Sequence, residues 1–357
     1  MRKGWKEKKL GDILTLEYGK PLPKNKRTAE GLYPVYGANG VKDRTNEFYV
    51  EETSIIVGRK GSAGEINYTE NKFWPLDVTY FTKFDKNELN LDFLFHLLTL
   101  LELPKLAKGV KPGINRNDVY AITTKIPPLP EQKRIVTKLD KCFEAIDKAR
   151  ANVERNLQNA KELFQSQLDQ IFSQKGDGWV EKKLGEVAEN LDRKRIPITK
   201  NKRVSGNIPY YGASGIVDYV ADYIFDEDLL LVSEDGANLL ARTYPIAFSI
   251  SGKSWVNNHA HVLRFNKIES QRFVEYFLNS IPLDNYVSGM AQPKLNQNML
   301  NSIIVPNPGI DIQKNTVNQL DKLRAQTQSL ESNYQQELDA LDELKKSILE
   351  KAFNGEL

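Results

Sequence analysis

Few side chains in this 357-residue sequence could carry catalysis, because it contains only three histidines and one cysteine. His259 and His261 alternate, so on a strand they would lie on one face, but no Cys, Asp or Glu pattern near them completes a metal site. We interpret them as polar strand residues and predict neither a catalytic group nor a metal site. Cys142 falls on the apolar stripe of a helix, which indicates a small buried residue in a reducing compartment.

A basic loop rich in glycine, Gly58-Arg59-Lys60-Gly61-Ser62-Ala63-Gly64, looks at first like a phosphate loop. It lacks the G-x-x-x-x-G-K-[ST] order, and no long helix is expected after it, so it is a poor site for a nucleoside triphosphate. Glycine lets main-chain amides come close to a phosphate, which would suit contact with a DNA backbone. A simple hairpin turn is the alternative that the sequence leaves open.

Basic residues cluster locally although the net charge is only +3. Residues 1–130 hold 21 Lys and Arg against 16 Asp and Glu, and Lys24-Asn25-Lys26-Arg27 recurs as Lys200-Asn201-Lys202-Arg203. Such clusters are usually solvated surface, but their recurrence favours a role facing phosphates. Nearby loops would then read the bases, and the two copies differ there, because residues 233–238 are acidic where the first copy has Arg59-Lys60.

The sequence is a tandem duplication. Gly4-Trp5-Lys6-Glu7-Lys8-Lys9-Leu10-Gly11 returns as Gly178-Trp179-Val180-Glu181-Lys182-Lys183-Leu184-Gly185, and Pro34-Val35-Tyr36-Gly37-Ala38-Asn39-Gly40 returns as Pro209-Tyr210-Tyr211-Gly212-Ala213-Ser214-Gly215. Ordered matches with small drifts in spacing indicate a repeated unit of about 180 residues.

Each copy ends in a long predicted helix, from about Gln132 to Phe172 and from about Val317 to Phe353. Apolar or small residues recur at every third or fourth position along both, which is the seam of a coiled coil. Two such helices in one chain are natural partners. We expect them to pack antiparallel, because the duplication places a head at the entry of each.

The sequence therefore predicts an α+β protein with two mixed α/β heads and two long antiparallel coiled-coil helices. We expect a first head at residues 1–130, a central helix at 131–174, a second head at 175–315 and a C-terminal helix at 316–357. Short apolar runs indicate buried strands at 54–58 and 229–233. One helix is expected late in each head, namely Leu91–Leu103 capped by Asn90 and Gln271–Ile281 capped by Ser270.

A proline-rich corner precedes the first long helix, Ile126-Pro127-Pro128-Leu129-Pro130-Glu131-Gln132. With this corner, the repeated head starts, the Tyr-Gly turns and the last ten residues, the chain resembles the specificity (S) subunit of type I restriction–modification systems over essentially its whole length. The second corner, Pro306-Asn307-Pro308-Gly309-Ile310-Asp311-Ile312-Gln313, keeps the prolines and the glutamine but not the Leu-Pro-Glu.

The resemblance implies a subunit without a catalytic site or cofactor of its own. It implies that each head reads one half of a bipartite, asymmetric target in double-stranded DNA and that the helices fix the spacer. Two methyltransferase (M) subunits would dock on the helices and supply S-adenosylmethionine and adenine methylation. Restriction (R) subunits would add ATP- and Mg-dependent translocation and cleavage.

Because recognition loops vary with the target, the family's contact residues cannot be transferred, and we select candidates from this sequence. The predicted DNA-binding residues are Lys24, Lys26, Arg27, Tyr36, Asn39, Arg59, Lys60, Ser62, Lys111, Asn115 and Arg116 in the first head, and Lys200, Lys202, Arg203, Tyr211, Ser214, Glu234, Asn238, Gln292, Lys294 and Asn296 in the second.

Two other classes of function stay open at this point. A coiled-coil adaptor that only joins proteins is favoured mildly by the near-neutral charge. A self-contained methyltransferase or nuclease is disfavoured, since no Asn/Asp-Pro-Pro-Tyr motif and no paired-carboxylate signature occurs. No apolar run approaches the ~18 residues of a membrane span, and we expect a cytoplasmic protein.

Overall fold

The computed structural model describes residues 4–174, 176, 179–289 and 292–357. Gly178 of the second repeat start, and Met290 and Ala291 of a second-head loop, lie outside these ranges. The chain divides into two compact units, one formed by the residues up to Val153 together with Gln336–Leu357, the other by Glu154–Gln335. Within the described ranges, no helix combines the length and apolar character that crossing a bilayer requires.

The first head contains nine short strands, two short helices and then the start of a long helix. These are β1 Lys6–Lys9, β2 Thr15–Tyr18, β3 Tyr33–Gly37, β4 Gly40–Thr45, β5 Ile55–Gly58, β6 Ile66–Tyr68, β7 Trp74–Pro75, β8 Thr79–Lys83, α1 Leu91–Leu100, α2 Arg116–Tyr120, β9 Thr123–Ile126 and α3 Leu129–Ser173. The strands form three small sheets, ordered β1-β9, β2-β8-β5-β6 and β4-β3-β7.

The second head has the same plan. Its elements are β10 Val180–Lys183, α4 Leu184–Val187, β11 Glu189–Asn190, β12 Ser205–Gly212, β13 Gly215–Val220, β14 Phe225–Asp226, β15 Leu229–Ser233, α5 Asn238–Ala241, β16 Ala247–Ile250, β17 Lys253–Val256, β18 Ala260–Arg264, α6 Ile268–Ser280, α7 Gln297–Ser302 and β19 Ile304–Asn307, followed by α8 Ile310–Phe353. The sheets are ordered β10-β19, β11-β18-β15-β16 and β13-β12-β17-β14. The sheet orders match those of the first head strand for strand, with β14 added, as the sequence repeat predicts.

The long helices pack antiparallel. In the first unit, the beginning of α3 and the end of α8 share one core with α1 and the β2-β8-β5-β6 sheet. The two long helices contribute Ile135, Leu139, Leu349 and Phe353 to this core. In the second unit, the end of α3 and the beginning of α8 share the other core, through residues such as Leu168, Phe172, Val317 and Leu320. The predicted architecture of two mixed heads on two antiparallel helices is confirmed. Cys142 of α3 is half-buried rather than fully buried.

Each long helix ends on aromatic side chains of the head that it reaches. The Phe353 ring at the end of α8 lies 4.9 Å from the ring of Phe93 in α1. The Phe172 ring at the end of α3 lies 5.3 Å and 5.4 Å from the rings of Phe273 and Phe277 in α6. A head therefore receives its final core residues from the helix that starts in the other copy.

Both long helices begin earlier than predicted, at Leu129 and Ile310. Pro130 is tolerated in the first turn because the amide that it lacks would have no intrahelical partner there. A buried glutamine fixes each entry: Gln132 Nε2 donates to the Pro127 carbonyl at 2.9 Å, and Gln313 Nε2 donates to the Pro308 carbonyl at 2.8 Å. The glutamine that the second corner retains is thus the residue that maintains this geometry.

Of the two predicted N-terminal caps, Asn90 of α1 is confirmed and Ser270 of α6 is not. Asn90 caps α1, accepting a 2.9 Å hydrogen bond from the Phe93 amide. The prediction for α6 was wrong, because the helix begins at Ile268 after Lys267, and Ser270 lies inside it. The Ser270 hydroxyl instead donates to Gln313 Oε1 at 2.7 Å and so joins α6 to the start of α8.

Candidate nucleic-acid interface

Two loops of the first head are joined by main-chain hydrogen bonds. One is the glycine-rich loop 58–64 after β5, and the other is loop 108–115 before α2. The Gly61 amide donates to the Pro112 carbonyl at 2.9 Å, and the Ile114 amide donates to the Arg59 carbonyl at 3.0 Å. This pairing brings together the predicted residues Arg59, Lys60, Ser62, Lys111, Asn115 and Arg116.

Loop 108–113 is a tight hairpin, because Lys108 and Gly113 exchange two main-chain hydrogen bonds of 2.9 and 3.0 Å. Gly109 adopts a φ of 93°, a conformation that favours glycine. The hairpin presents Val110 fully exposed, next to the exposed Lys111. The glycine-rich loop joins the antiparallel strands β5 and β6, so it is the hairpin turn of the alternative, and it also forms part of a two-loop surface.

Tyr18, at the end of β2, organises the charged part of this surface. Its ring centroid lies 4.9 Å from the guanidinium carbon of Arg59 and 5.0 Å from that of Arg116. The Tyr80 ring lies 5.1 Å away. We call these four residues the Tyr18 cluster. The sequence predicted both arginines but missed both tyrosines, since single tyrosines at strand ends carry no distinctive pattern.

The second head has the same pair of interlocked loops, one at residues 233–238 and the other at residues 288–289 and 292–296. The Gly236 amide donates to the Pro293 carbonyl at 3.0 Å, and the Leu295 amide donates to the Glu234 carbonyl at 2.8 Å. Gly236 matches Gly61 in the repeat, and both have positive φ angles. The loop framework is therefore the same in the two heads, whereas the side chains on it differ.

The side chains on the second framework form a dense ionic group. Glu234 lies 2.7 Å from Arg195 and 3.2 Å from Lys294. The Asp192 carboxylate lies 2.6 Å from His261 Nδ1 and 3.5 Å from Arg195. These five residues, the Asp192 cluster, lie where the first head has the Tyr18 cluster. The sequence predicted only Glu234 and Lys294, because Asp192, which begins a short 3-10 helix, and His261, on β18, are distant from each other in the chain.

His261 is 1% exposed, and both of its ring nitrogens face acceptors. Nδ1 faces Asp192, and Nε2 lies 2.7 Å from the Leu295 carbonyl. Asp192, Glu234 and His261 have the side chains of metal ligands, with ligand atoms within 4.8 Å of one another. Arg195 and Lys294 already contact those carboxylates, so the arrangement is explained by ion pairing and carries no inference of a metal.

We expect Asp192 to make the second head sensitive to acid. Burial alone would raise the pKa of Asp192, but the hydrogen bond and charge of His261, with the Val262 amide and Arg195, hold that pKa below its ordinary value. A depressed pKa stabilises the fold above the ordinary value of about 3.9, and this contribution is lost as the pH falls through the folded-state pKa. Asp192→Asn should therefore lower stability at neutral pH and flatten its decline below about pH 4.

The measurement is hydrogen exchange of β15 and β18 across that range of pH. Asp228→Asn, an exposed position in the same head, is the matched control and should leave the profile unchanged. An Asp192→Asn profile parallel to that of the unmodified protein would contradict the assignment.

The repeated Lys-Asn-Lys-Arg segments form short 3-10 helices, and their arginines face inward. Arg27 donates to the Leu22 carbonyl at 2.9 Å through Nε and lies 3.6 Å from Asp43. Arg203 donates to the Ile198 carbonyl at 3.1 Å and lies 2.9 Å from Asp218. Each arginine therefore stabilises the short turn that precedes it in the chain. Lys24, Lys200 and Lys202 are exposed, and Lys26 forms an exposed ion pair with Glu47.

The remaining predicted residues differ in accessibility. Tyr36 is in the core, and burial raises its pKa; Tyr211 is half-buried. Asn238 is 8% exposed, and its amide holds the turn at 243–244. Asn115 and Asn296 cap α2 and α7. Asn39 and Ser214, at equivalent turns, and Gln292 are exposed.

Comparison with known proteins gives a consistent result. A family model described as "Type I restriction modification DNA specificity domain" matches residues 2–155 and again residues 176–340. A putative type I restriction enzyme specificity subunit of Haemophilus influenzae is 38% identical over 146 residues, but the match spans only 41% of this chain and 37% of that protein. The EcoDI specificity subunit of Escherichia coli is 23% identical over 99% of this chain and 88% of its own length.

Two solved structures share the fold. A chain from a study of type I restriction–modification assembly and conformational transition has a TM-score of 0.79 at 19% identity, covering 100% of this chain and 99% of that one. The HsdS subunit of Thermoanaerobacter tengcongensis has a TM-score of 0.59 at 19% identity, with coverages of 100% and 98%. At these identities the likeness concerns the fold alone.

Proposed function

Because the chain belongs to the type I restriction modification DNA specificity family, we propose that it is the non-catalytic specificity subunit of such a system, with each head reading one half of a bipartite, asymmetric DNA target. The observation that carries the proposal is the repeated pair of interlocked loops. Main-chain bonds between the loops are the same in both heads, whereas Arg59 and Lys60 of one framework are replaced by Glu234 and Asp235 in the other. Two readers of different half-sites require this combination.

The long helices serve, in this proposal, as the spacer between half-sites and as the docking surface for two methyltransferase subunits. We assign the heads to residues 1–130 and 175–315 and the helices to 131–174 and 316–357. Restriction subunits would complete the complex, and S-adenosylmethionine, ATP and Mg would bind those partners. The complex would act on cytoplasmic DNA.

Sequencing the methylated bases of a host that carries this chain with its methyltransferase partner tests the proposal. We expect one bipartite motif with a fixed gap. A coiled-coil adaptor would give no motif that depends on this chain, and its complex would not shift DNA fragments selectively in a gel. The adaptor alternative is disfavoured by the family membership.

We expect the exposed lysines of the two 3-10 helices to contact phosphates. Lys24→Gln combined with Lys200→Gln should weaken binding to all sequences and reduce the slope of log affinity against log salt by about 2, at ~0.9 per phosphate contact. The methylated motif should not change. Salt titration of the purified methyltransferase complex on a target duplex measures the slope.

Arg27→Gln is the informative comparison, because its guanidinium is used within the turn. It should lower stability by roughly 1 kcal/mol or more through loss of a charged hydrogen bond, with little effect on the salt slope. An unchanged slope in the double lysine variant, or a large change in the Arg27 variant, would reverse these assignments.

A further inference from the structure

We propose that Arg59 and Arg116 of the Tyr18 cluster read guanine in the half-site of the first head, and that the second head reads its half-site without an arginine at the equivalent position. This inference rests on the proposed function and deepens it, because it names the base class that one head recognises and the side chains that select it.

The two arginines differ from most buried or half-buried arginines of the chain in being electrically uncompensated. Arg27, Arg195, Arg203, Arg264 and Arg272 all lie in ion pairs with carboxylates. Among the residues that the structure describes, no salt bridge involves Arg59 or Arg116. Their positive charges are therefore available to a partner outside the chain.

Aromatic contact and single main-chain bonds hold the two guanidinium groups in place. Both lie against the Tyr18 ring, and Arg59 is also 6.0 Å from the Tyr80 ring centroid. Arg59 Nη1 donates to the Asp77 carbonyl at 2.9 Å, and Arg116 Nη1 lies 3.5 Å from the Leu16 carbonyl. Within the part of the chain that the structure describes, Arg59 contacts one carbonyl and the Tyr80 hydroxyl, and Arg116 contacts one carbonyl, so other N–H donors of both guanidinium groups remain for an external partner.

This arrangement suits a base edge better than a phosphate. A phosphate requires mainly charge, which the exposed Lys60 and Lys111 offer on the same loops. A planar guanidinium held in a fixed direction can donate two parallel hydrogen bonds to O6 and N7 of guanine, whereas a lysine ammonium on its flexible stem makes these bonds with less directional constraint. Tyr18 is 44% exposed, so the ring positions the forks at the surface.

The strand registers identify the equivalent position in the second head. Val57 pairs with Tyr80 in the first head, as Val232 pairs with His261 in the second. The Tyr80 hydroxyl lies 3.4 Å from the Ile114 carbonyl, and His261 Nε2 lies 2.7 Å from the Leu295 carbonyl. His261 therefore replaces Tyr80.

The same framework places Glu234 where the first head has Arg59. The Arg59 amide donates to the carbonyl of Val78, the turn residue directly before β8, and the Glu234 amide donates to that of His259, directly before β18. Asp192 lies beside His261 as Tyr18 lies beside Tyr80. Glu234 is neutralised by Arg195 and Lys294. At this point the second head has charged side chains that are paired with one another, whereas the first head has two guanidinium groups without a carboxylate partner among the described residues.

The first test compares the methylated motifs of Arg59→Lys and Arg116→Lys with that of the unmodified chain. Each substitution keeps the charge and removes the fork. We expect the preference for one G·C pair in one half-site to fall about 10- to 100-fold, the range for a lost bidentate contact, with the other half-site and the spacer unchanged. Tyr18→Phe, which keeps the ring, should retain the preference, and Tyr18→Ala should lose it. Arg264→Lys, the same change at an ion-paired arginine of the second head, is the matched control.

The second test does not depend on the variants folding. Each guanine of the first half-site is replaced by 7-deazaguanine, which lacks N7 and keeps O6, and binding of the unmodified methyltransferase complex is measured. We expect one such duplex to bind about 10-fold more weakly, and the matching lysine variant to show no further loss.

An unmodified complex that tolerates every 7-deazaguanine, or lysine variants that keep a strict G·C preference, would overturn the guanine assignment. Relaxation spread over both half-sites would overturn it as well. These outcomes are distinguishable from failure of the proposed function, in which the unmodified chain would give no bipartite motif at all.

Discussion

Lengthening both long helices by one heptad is expected to lengthen the unread spacer of the target by up to three base pairs. The insertions follow Asn152 and Asn333, close to where α3 and α8 pass from one compact unit to the other. Seven residues keep the apolar seam in phase and add about 10 Å at ~1.5 Å per residue, against ~3.4 Å per base pair. The half-site sequences should not change, because no recognition loop is altered, whereas activity should fall because the added DNA rotates one half-site relative to the other.

The measurement is the methylated motif of the double insertion variant. A five-residue insertion at the same two points is the control, because at 3.6 residues per turn it rotates the following seam by about 140° and should abolish methylation. An active heptad variant that retains the original gap, or that changes its half-site bases, would show that the helices only support the methyltransferase subunits and do not measure the spacer.

The second large effect is a loss of stability in the amino-terminal head, caused by a substitution near the carboxyl end of the described chain. Phe353→Ala should destabilise the first unit by roughly 3–5 kcal/mol, the usual cost of removing a buried aromatic ring. Phe353 packs on Phe93 and shares the core that contains Leu10 and Leu349. A change near residue 350 should therefore loosen the amino-terminal head.

Hydrogen exchange resolved by segment measures this effect, with loss of protection expected in β5 and α1 and little change in β15 and α6. Phe172→Ala is the matched control, because Phe172 ends α3 against Phe273 and Phe277 of the second head and should give the opposite pattern. Equal loss in both heads, or no loss in the first, would contradict this account of the two cores.

The long helices and buried strands could be predicted because their signals are local. Apolar residues at every third or fourth position over 40 residues determine a helix, and the run Leu229–Ser233 is the strand that the structure contains. Asn90 was recognisable as a cap for the same reason. Ser270 was misassigned because a serine before an apolar helical pattern has the same local signature whether it caps the helix or bonds to Gln313, which lies 43 residues away.

The candidate site was only partly predictable, since its chemistry depends on contacts between distant segments. Arg27 and Arg203 looked like exposed cations beside Lys24 and Lys200, but each one turns back to a carbonyl five residues earlier. One sequence signal could have revealed this: an aspartate follows at a similar distance in both copies, Asp43 and Asp218. No comparable signal exists for Tyr18, whose partner Arg116 lies on a helix near the end of the head.

The sharing of cores between the two copies has a consequence for the order of folding during synthesis. The second unit is a continuous stretch, Glu154–Gln335, whereas the first unit needs Gln336–Leu357 to be complete. At about 5–20 residues per second, roughly 10 to 50 s separate the emergence of α1 from that of Leu349 and Phe353. During that interval the amino-terminal head lacks the α8 side chains that complete its core. The head that is translated second therefore completes its core first.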